Sequence, residues 1–364
     1  MTEGQKRAYI IADNRLAESA DWDEELLALE FEGLLELDID LTMTGFDVGE
    51  IDLIIGNDET PQEEEEVELP DPSDPVVTRA GDLWLCGHHR VLCGNALKQS
   101  DYKHLMEGTL ADFIFTDPPY NVPIDGHVSG KGAIRHNEFA MASGEMSRDE
   151  FEAFLEKVCC NLVQASRPGS LHFHCMDWRH LLELLHAGEK HFTEFKNLCV
   201  WNKSNAGMGS LYRSRHELVL LFKNGTVPHI NNVALGKYGR NRSNVWSYPG
   251  VNTFGKGRMA QLALHPTVKP VAMIADAILD CSNPGDLVLD PFLGSGSTLL
   301  AAERTGRKCH GMEIDPLYVD VVLRRFEAVT GIEPIHLKTG LGFHQLSLDR
   351  EAASDTSNTL GDEQ

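Results

Sequence analysis

Long apolar runs are missing from these 364 residues, and none approaches the ~20 residues that a membrane-crossing helix needs. The opening residues, Met1 to Arg7, lack the apolar core of an export signal, so the sequence reads as cytoplasmic. A cysteine framework is also lacking. The eight cysteines are scattered without regular spacing, which suits reduced thiols and excludes a disulfide-stapled scaffold. Cys86, His88, His89 and Cys93 lie close together, but no second CxxC or HxxxH pair accompanies them, so no metal is expected.

Positive charge is scarce at the start of the chain. Residues 1–75 hold 24 acids against 3 bases, and residues 346–364 hold 5 acids against 1 base. The stretch 76–345 carries 27 acids and 28 bases. The net charge of -24 therefore belongs to the ends and leaves a polyanionic partner open for the rest. Acids, conversely, are absent between Glu217 and Asp276. There Lys223, Lys237, Arg240, Arg242, Lys256, Arg258 and Lys269 are interleaved with Tyr238, Trp246, Tyr248 and Phe254. Cations can position phosphates while Asn, Gln and Arg read base edges, so about 224–262 is a candidate recognition region; a solvated basic loop is the plain alternative.

What is present is organisation. The acidic run from Asp58 to Glu66, followed by Pro70, Pro72 and Pro75, combines self-repelling charge with helix breakers and predicts a linker over 58–80. Upstream, Leu26, Leu27, Leu29, Phe31, Leu34 and Leu35 recur at helical spacing, and a short helix is expected from about Val48 to Ile55. Residues 1–57 thus form a small helical module. Over 81–345 strand and helix signals alternate, predicting a mostly parallel sheet covered by helices on both faces. Strands are expected at 111–116, 171–175, 198–201, 217–222, 287–289 and 310–312. Helices are expected after the capping box Ser147-Arg148-Asp149-Glu150 and around 178–186, 270–281, 297–305 and 316–329. The tail 346–364 is polar and acidic, and disorder is expected of it. His172 and His174 alternate on a strand, share a face, and read as structural.

Two motifs carry chemistry. Leu287 to Thr298 runs from a strand through Gly294-Ser295-Gly296 into a helix, so backbone amides can face a ligand. The next strand ends at Glu313, an acid placed to accept hydrogen bonds from ribose hydroxyls; a structural turn followed by a solvated acid is the alternative. The second motif, Asp117-Pro118-Pro119-Tyr120, directly follows the strand 111–116. The Asp117 carboxylate and Pro118 carbonyl can accept both protons of a planar amine and aim its lone pair at a sulfonium methyl. Proline donates nothing, and Tyr120 offers a face on which an extruded base stacks. Residues 121–138, with Gly126, Gly130 and Gly132, suit a loop that closes over such a base.

With these motifs in this order, the chain resembles the DNA amino-methyltransferases of the permuted β class, in which the tetrad precedes the glycine loop. The resemblance spans about residues 82–340. It also rests on Gly87 to Ala96, Phe139 to Met146, Tyr212 to Glu217 and His265 to Pro270. It implies a Rossmann-like fold with one antiparallel edge hairpin, S-adenosylmethionine as cofactor, double-stranded DNA as partner, and a possible homodimer. Asp290, Phe292, Gly294, Gly296 and Glu313 would form the cofactor pocket, and His265, Thr267 and Lys269 would reach its methionine end. Asn95 stands where many members carry Asp, keeping an acceptor oxygen but losing a charge. Asp117 in first position implies adenine N6 as target, where cytosine-N4 enzymes usually carry Ser. Lys237, Arg240, Arg242, Lys256, Arg258, Arg213 and Arg215 would contact DNA. A cytosine-N4 enzyme, a catalytically weak DNA-binding regulator, and an enzyme for RNA or a protein amide remain the alternatives. Tyr9 to Arg15, Trp22-Asp23, Leu26 and Thr44-Gly45-Phe46 resemble the end of a ParB-like domain. Only its last portion is present, so no activity is carried over.

Overall fold

The computed structural model describes residues 3–15, 24–35, 37, 39–46, 51, 76–122, 142, 144–204, 211–233, 242–249 and 268–359. The N-terminal part contains α1 (Glu3–Arg15), α2 (Glu24–Leu35) and a 3-10 turn, Leu41–Thr44, which Asp40 caps and Gly45 ends in the left-handed region. Ala8, Ile11, Leu27, Phe31, Leu34, Leu41, Phe46 and Ile51 make its own small core.

The larger part is one ten-stranded sheet. In chain order its elements are β1 (Leu83–Cys86), β2 (His89–Cys93), α3 (Gln99–Met106), β3 (Ala111–Thr116), α4 (Arg148–Ala165) and β4 (Ser166–Met176), followed by α5 (Leu181–Glu189), β5 (Glu194–Lys203), β6 (His216–Lys223) and β7 (Val245–Tyr248). The second half contributes α6 (Val271–Cys281), β8 (Leu287–Asp290), α7 (Ser297–Arg304), β9 (Lys308–Glu313), α8 (Pro316–Thr330), β10 (Ile335–His336) and α9 (Phe343–Thr359). The strand order is β10-β1-β2-β9-β8-β3-β4-β6-β5-β7. The centre, β2-β9-β8-β3-β4, is parallel throughout.

Alternation along β3 distributes the core. Phe113 and Phe115 face one side, with Met273, Ile274 and Ile278 of α6, Leu299 of α7 and Phe326 of α8. Ala111 and Ile114 face the other, with Tyr102 of α3 and Phe151, Leu155 and Leu162 of α4. A sheet buried on both faces needs such continuous apolar strands, and the three-layer α/β fold expected from the sequence follows. The capping box forms at α4: Ser147 N donates to Glu150 Oε2 at 2.8 Å while Glu150 N donates to Ser147 Oγ at 3.4 Å.

Three expectations need correction. Antiparallel pairing occurs at both ends of the sheet, where one edge hairpin was expected: β1 pairs antiparallel with β2 and β10, and β6 with β4 and β5. Residues 343–359, expected to be disordered from 346, form α9, because Phe343 and Leu346 are buried in the main core and Arg350 pairs with Asp82 at 2.7 Å. The capping-box helix and the helix at 178–186 were located, but the latter begins as a 3-10 turn, Trp178–His180, before α5. The helix expected at 48–55 lies outside the described residues apart from Ile51. All eight cysteines are free. Among the described residues no helix is long and apolar enough to cross a membrane, and no group of three or more His, Cys, Asp or Glu is arranged to hold a metal ion.

Candidate active site

In chain order β3 leads toward β4 on one side, while β8 leads to β9 on the other, so the sheet reverses its winding between β3 and β8. Ligands of open α/β sheets bind outside the carboxyl ends of the strands at such a switch point. Asp117 follows β3 there, and Asp290 ends β8 beside it.

On the β8 side, Gly294 (φ 54°) and Gly296 (φ 88°) turn the chain into α7 through the left-handed region that side chains resist. A Cβ on Gly296 would also lie 3.1 Å from Val322 Cγ1. No side chain caps α7, so its first amides remain directed at the turn. Asp290 fixes the loop by accepting from Phe292 N at 3.0 Å and Thr298 Oγ1 at 2.6 Å. Glu313, at the end of β9, accepts from Gly294 N and Asp315 N, both at 3.0 Å. Burial pushes Glu313 up to about 7 against those two backbone bonds, and pushes Asp290 up to about 7 with the charges of Asp117 and Glu313 adding to it. An ionised carboxylate offers about four acceptor sites, so Glu313 retains acceptor capacity for a hydroxyl donor.

Asn95 lies just past β2, where Gly94 N donates to Glu313 O at 2.9 Å. Its Oδ1 accepts from Leu97 N at 2.8 Å, closing a local turn, and its own N–H donates to Asp101. Phe292 meets Phe154 of α4, with ring centroids 6.1 Å apart, which seats the loop against the helix layer.

On the β3 side the tetrad is part of a charged cluster. Tyr120 Oη donates to Asp117 Oδ1 at 2.6 Å and Lys269 Nζ to Asp117 Oδ2 at 2.6 Å. The Lys269 ammonium also lies 5.3 Å from the centroid of the Tyr120 ring. Asp117 is pushed up by burial and by the neighbouring Glu217, with Lys269 opposing. Lys269 is held above its ordinary range because Asp117 and Glu217 outweigh the effect of burial. The resemblance implied that Lys269 reaches the cofactor's methionine end; its ammonium lies between the Asp117 and Glu217 carboxylates. Glu217 and Lys203 were not singled out from the sequence. Glu217 lies at the start of β6 opposite Trp201, and the pairing of β6 with β4 and of β4 with β3 brings it to Tyr120. Beyond the tetrad, Asn121 (φ 52°) donates to Met146 O and accepts from Gly144 N, tying the two ends of the segment between them.

The candidate DNA residues divide. Arg213 and Arg215 are exposed, on the segment between β5 and β6, and Arg215 Nε donates to Lys203 O at 2.7 Å. Arg242 is instead turned inward, paired with Asp276 and Asp280 of α6 at 3.0 Å each, so it ties β7 to that helix. The acid-free stretch ended at Asp276, which hid this pairing. Asn224, Asn232 and Trp246 are likewise buried, bonding main-chain carbonyls. Lys237, Arg240, Lys256, Arg258, His265 and Thr267 lie outside the described residues.

Known proteins are similar to parts of this chain. Residues 25–80 match the ParB-methyltransferase HTH domain. Type II methyltransferase M.HpaI of Haemophilus parainfluenzae is 27% identical over 257 residues, covering 66% of this chain and 74% of that protein. DNA adenine methyltransferase YhdJ of Escherichia coli (strain K12) is 29% identical over 248 residues, covering 60% and 77%. Among solved structures, PvuII DNA methyltransferase (cytosine-N4-specific) aligns with a TM-score of 0.48 at 17% identity, covering 71% of this chain and 89% of that one. The tetrad strand, the glycine loop and Glu313 all fall within residues 111–324, more than half of the chain, which match the DNA methylase model of N6/N4 type. The chain belongs to that DNA methylase family.

Proposed function

We propose that the chain transfers a methyl group from S-adenosylmethionine to the exocyclic N6 amine of adenine in double-stranded DNA. The carrying observation is the Asp117 carboxylate at the switch point, one strand away from a glycine turn and two from the Glu313 carboxylate. The donor set fits the cofactor: Glu313 retains acceptor capacity for ribose hydroxyls, and Gly296 leaves no side chain over the α7 amides. When bound, the cofactor supplies an electrophilic methyl group on a sulfonium. His265, Thr267 and Asn95 complete its pocket in this reading.

Asp117 and the Pro118 carbonyl orient the amine by accepting its two protons, directing the nitrogen lone pair at the methyl carbon. The nitrogen gains the methyl and sheds one proton, for which the Asp117 carboxylate stands as acceptor. Pro119 keeps the turn free of donors, and Tyr120 supplies the stacking face for a base extruded from the duplex. Arg213 and Arg215 contact the DNA backbone, together with Lys237, Arg240, Lys256 and Arg258. Adenine is favoured by Asp in the first tetrad position and by the E. coli relative named as an adenine enzyme.

Incubating the protein with unmethylated duplex DNA and S-adenosylmethionine, then analysing nucleosides by mass spectrometry, tests this. N6-methyldeoxyadenosine is expected, absent with Asp117→Ala. Methyl on cytosine N4, or transfer to RNA in preference to DNA, would overturn the assignment, and no transfer at all would favour a binding protein.

A further inference from the structure

Both donors on Asp117 are shared with a single oxygen elsewhere. Tyr120 Oη lies 2.6 Å from Asp117 Oδ1 and 3.1 Å from Glu217 Oε2. Lys269 Nζ lies 2.6 Å from Asp117 Oδ2 and 3.1 Å from that same Glu217 Oε2. The other Glu217 oxygen accepts from Lys203, whose ammonium sits 4.6 Å from the Trp201 ring centroid. Glu217 is 9% exposed and Lys269 5% exposed, so neither can exchange its partner freely for water.

Asp117 already accepts one hydrogen bond at each oxygen, so a target amine that enters draws on the same carboxylate as Tyr120 and Lys269 and loosens their hold on it. A donor displaced inside such a site is costly unless another acceptor is at hand. Glu217 Oε2 is that acceptor, already within reach of both donors, so the exchange needs only rotation of O–H and N–H bonds. We propose that Glu217 is a positioning residue of the methyl-transfer site: it takes over the hydrogen bonds of Tyr120 and Lys269 as the target amine engages Asp117. The proposal rests on reading the chain as an amino-methyltransferase.

The charges agree with this. Burial alone would raise Glu217, but Lys203 and Lys269 hold it down to about 2, so it remains an anion at any working pH. The groups facing Asp117 are Lys269, Glu217 and Tyr120, with Cys175 of β4 and Asp290 of β8 nearby. Neutralising Glu217 removes a charge that raises Asp117 and lets Lys269 settle on it.

Glu217→Gln keeps the size and one acceptor oxygen but drops the charge. Since a hydrogen bond to a charged group is worth about 10- to 100-fold, kcat should fall by about that factor. KM for DNA and affinity for S-adenosylmethionine should stay unchanged, and the acid limb of the kcat profile should move to lower pH. Glu217→Asp keeps the charge on a shorter arm, so kcat should fall while the acid limb stays at the wild-type position. Wild-type kcat in Glu217→Gln overturns the proposal. So does a loss with an unmoved acid limb and a matching drop in melting temperature. Should the glutamine variant not fold, wild-type kcat in Glu217→Asp overturns it instead. If the wild-type protein methylates cytosine, the test runs on that amine and only the adenine assignment fails; no transfer to DNA at all overturns both.

Discussion

Two carboxyls at the ends of neighbouring strands, Glu313 and Asp290, are pushed by burial to about 7. A carboxyl poised there is mostly protonated at about pH 6 and mostly ionised at about pH 8. Ribose hydroxyls donate, and a sulfonium is positive, so the bound cofactor favours the ionised form. Binding therefore releases protons, and the affinity for S-adenosylmethionine is expected to rise from about pH 6 to about pH 8, measured by calorimetric titration. Glu313→Gln should weaken binding and flatten that rise; an unchanged slope would assign the titration elsewhere. Arg242 teaches the opposite lesson at this scale. Its sequence surroundings look like a nucleic-acid contact, yet its guanidinium is spent on Asp276, Asp280 and Tyr248.

Among the elements, α9 is the one whose existence composition obscures. Its sequence from Ser347 is largely polar and acidic, and among its described side chains Phe343 and Leu346 are the apolar anchors that reach the core. Phe343 packs tilted against Trp84 with ring centroids 5.5 Å apart, and Arg350 bonds the Val77 carbonyl and Asp82. Deleting a buried phenylalanine typically costs about 3–5 kcal/mol through lost transfer energy and a cavity. Phe343→Ala should therefore lower stability by about 3 kcal/mol in chemical denaturation. A disordered tail would give no change, so the measurement separates the two. The helices with apolar periodicity were legible because their anchors recur every turn. Strands β1, β2, β7 and β10 were not, being two to five residues long and held by pairing.

On the scale of the molecule, charge is segregated. Within residues 25–80, matched to a ParB-methyltransferase HTH domain, Arg79 is the sole base. Such a segment repels phosphate, whereas residues 76–345 are near neutrality with Arg213 and Arg215 exposed between β5 and β6. Removing residues 1–75 leaves Val77 and Thr78 in place, whose amides bond Asp320 at 2.7 and 3.0 Å. DNA affinity of the shortened chain is expected to rise at about 50 mM salt, with the gain shrinking by about 200 mM as screening takes over. Weaker binding at both salts would instead make the acidic segment a DNA contact.

The sequence by itself determined the chemistry and the layered α/β class. Asp117 to Tyr120, the glycine turn and the apolar strands before them are contiguous, and local stereochemistry dictates what contiguous residues do. Tertiary structure alone decided which charges meet. Lys269 is 152 residues from Asp117 and Glu217 is 97 from Tyr120, and no local pattern encodes such separations. Pairing of β3 with β4 and of β4 with β6, and the winding reversal between β3 and β8, bring them together. Burial there then makes each charge seek a partner, since an unpaired one cannot be solvated.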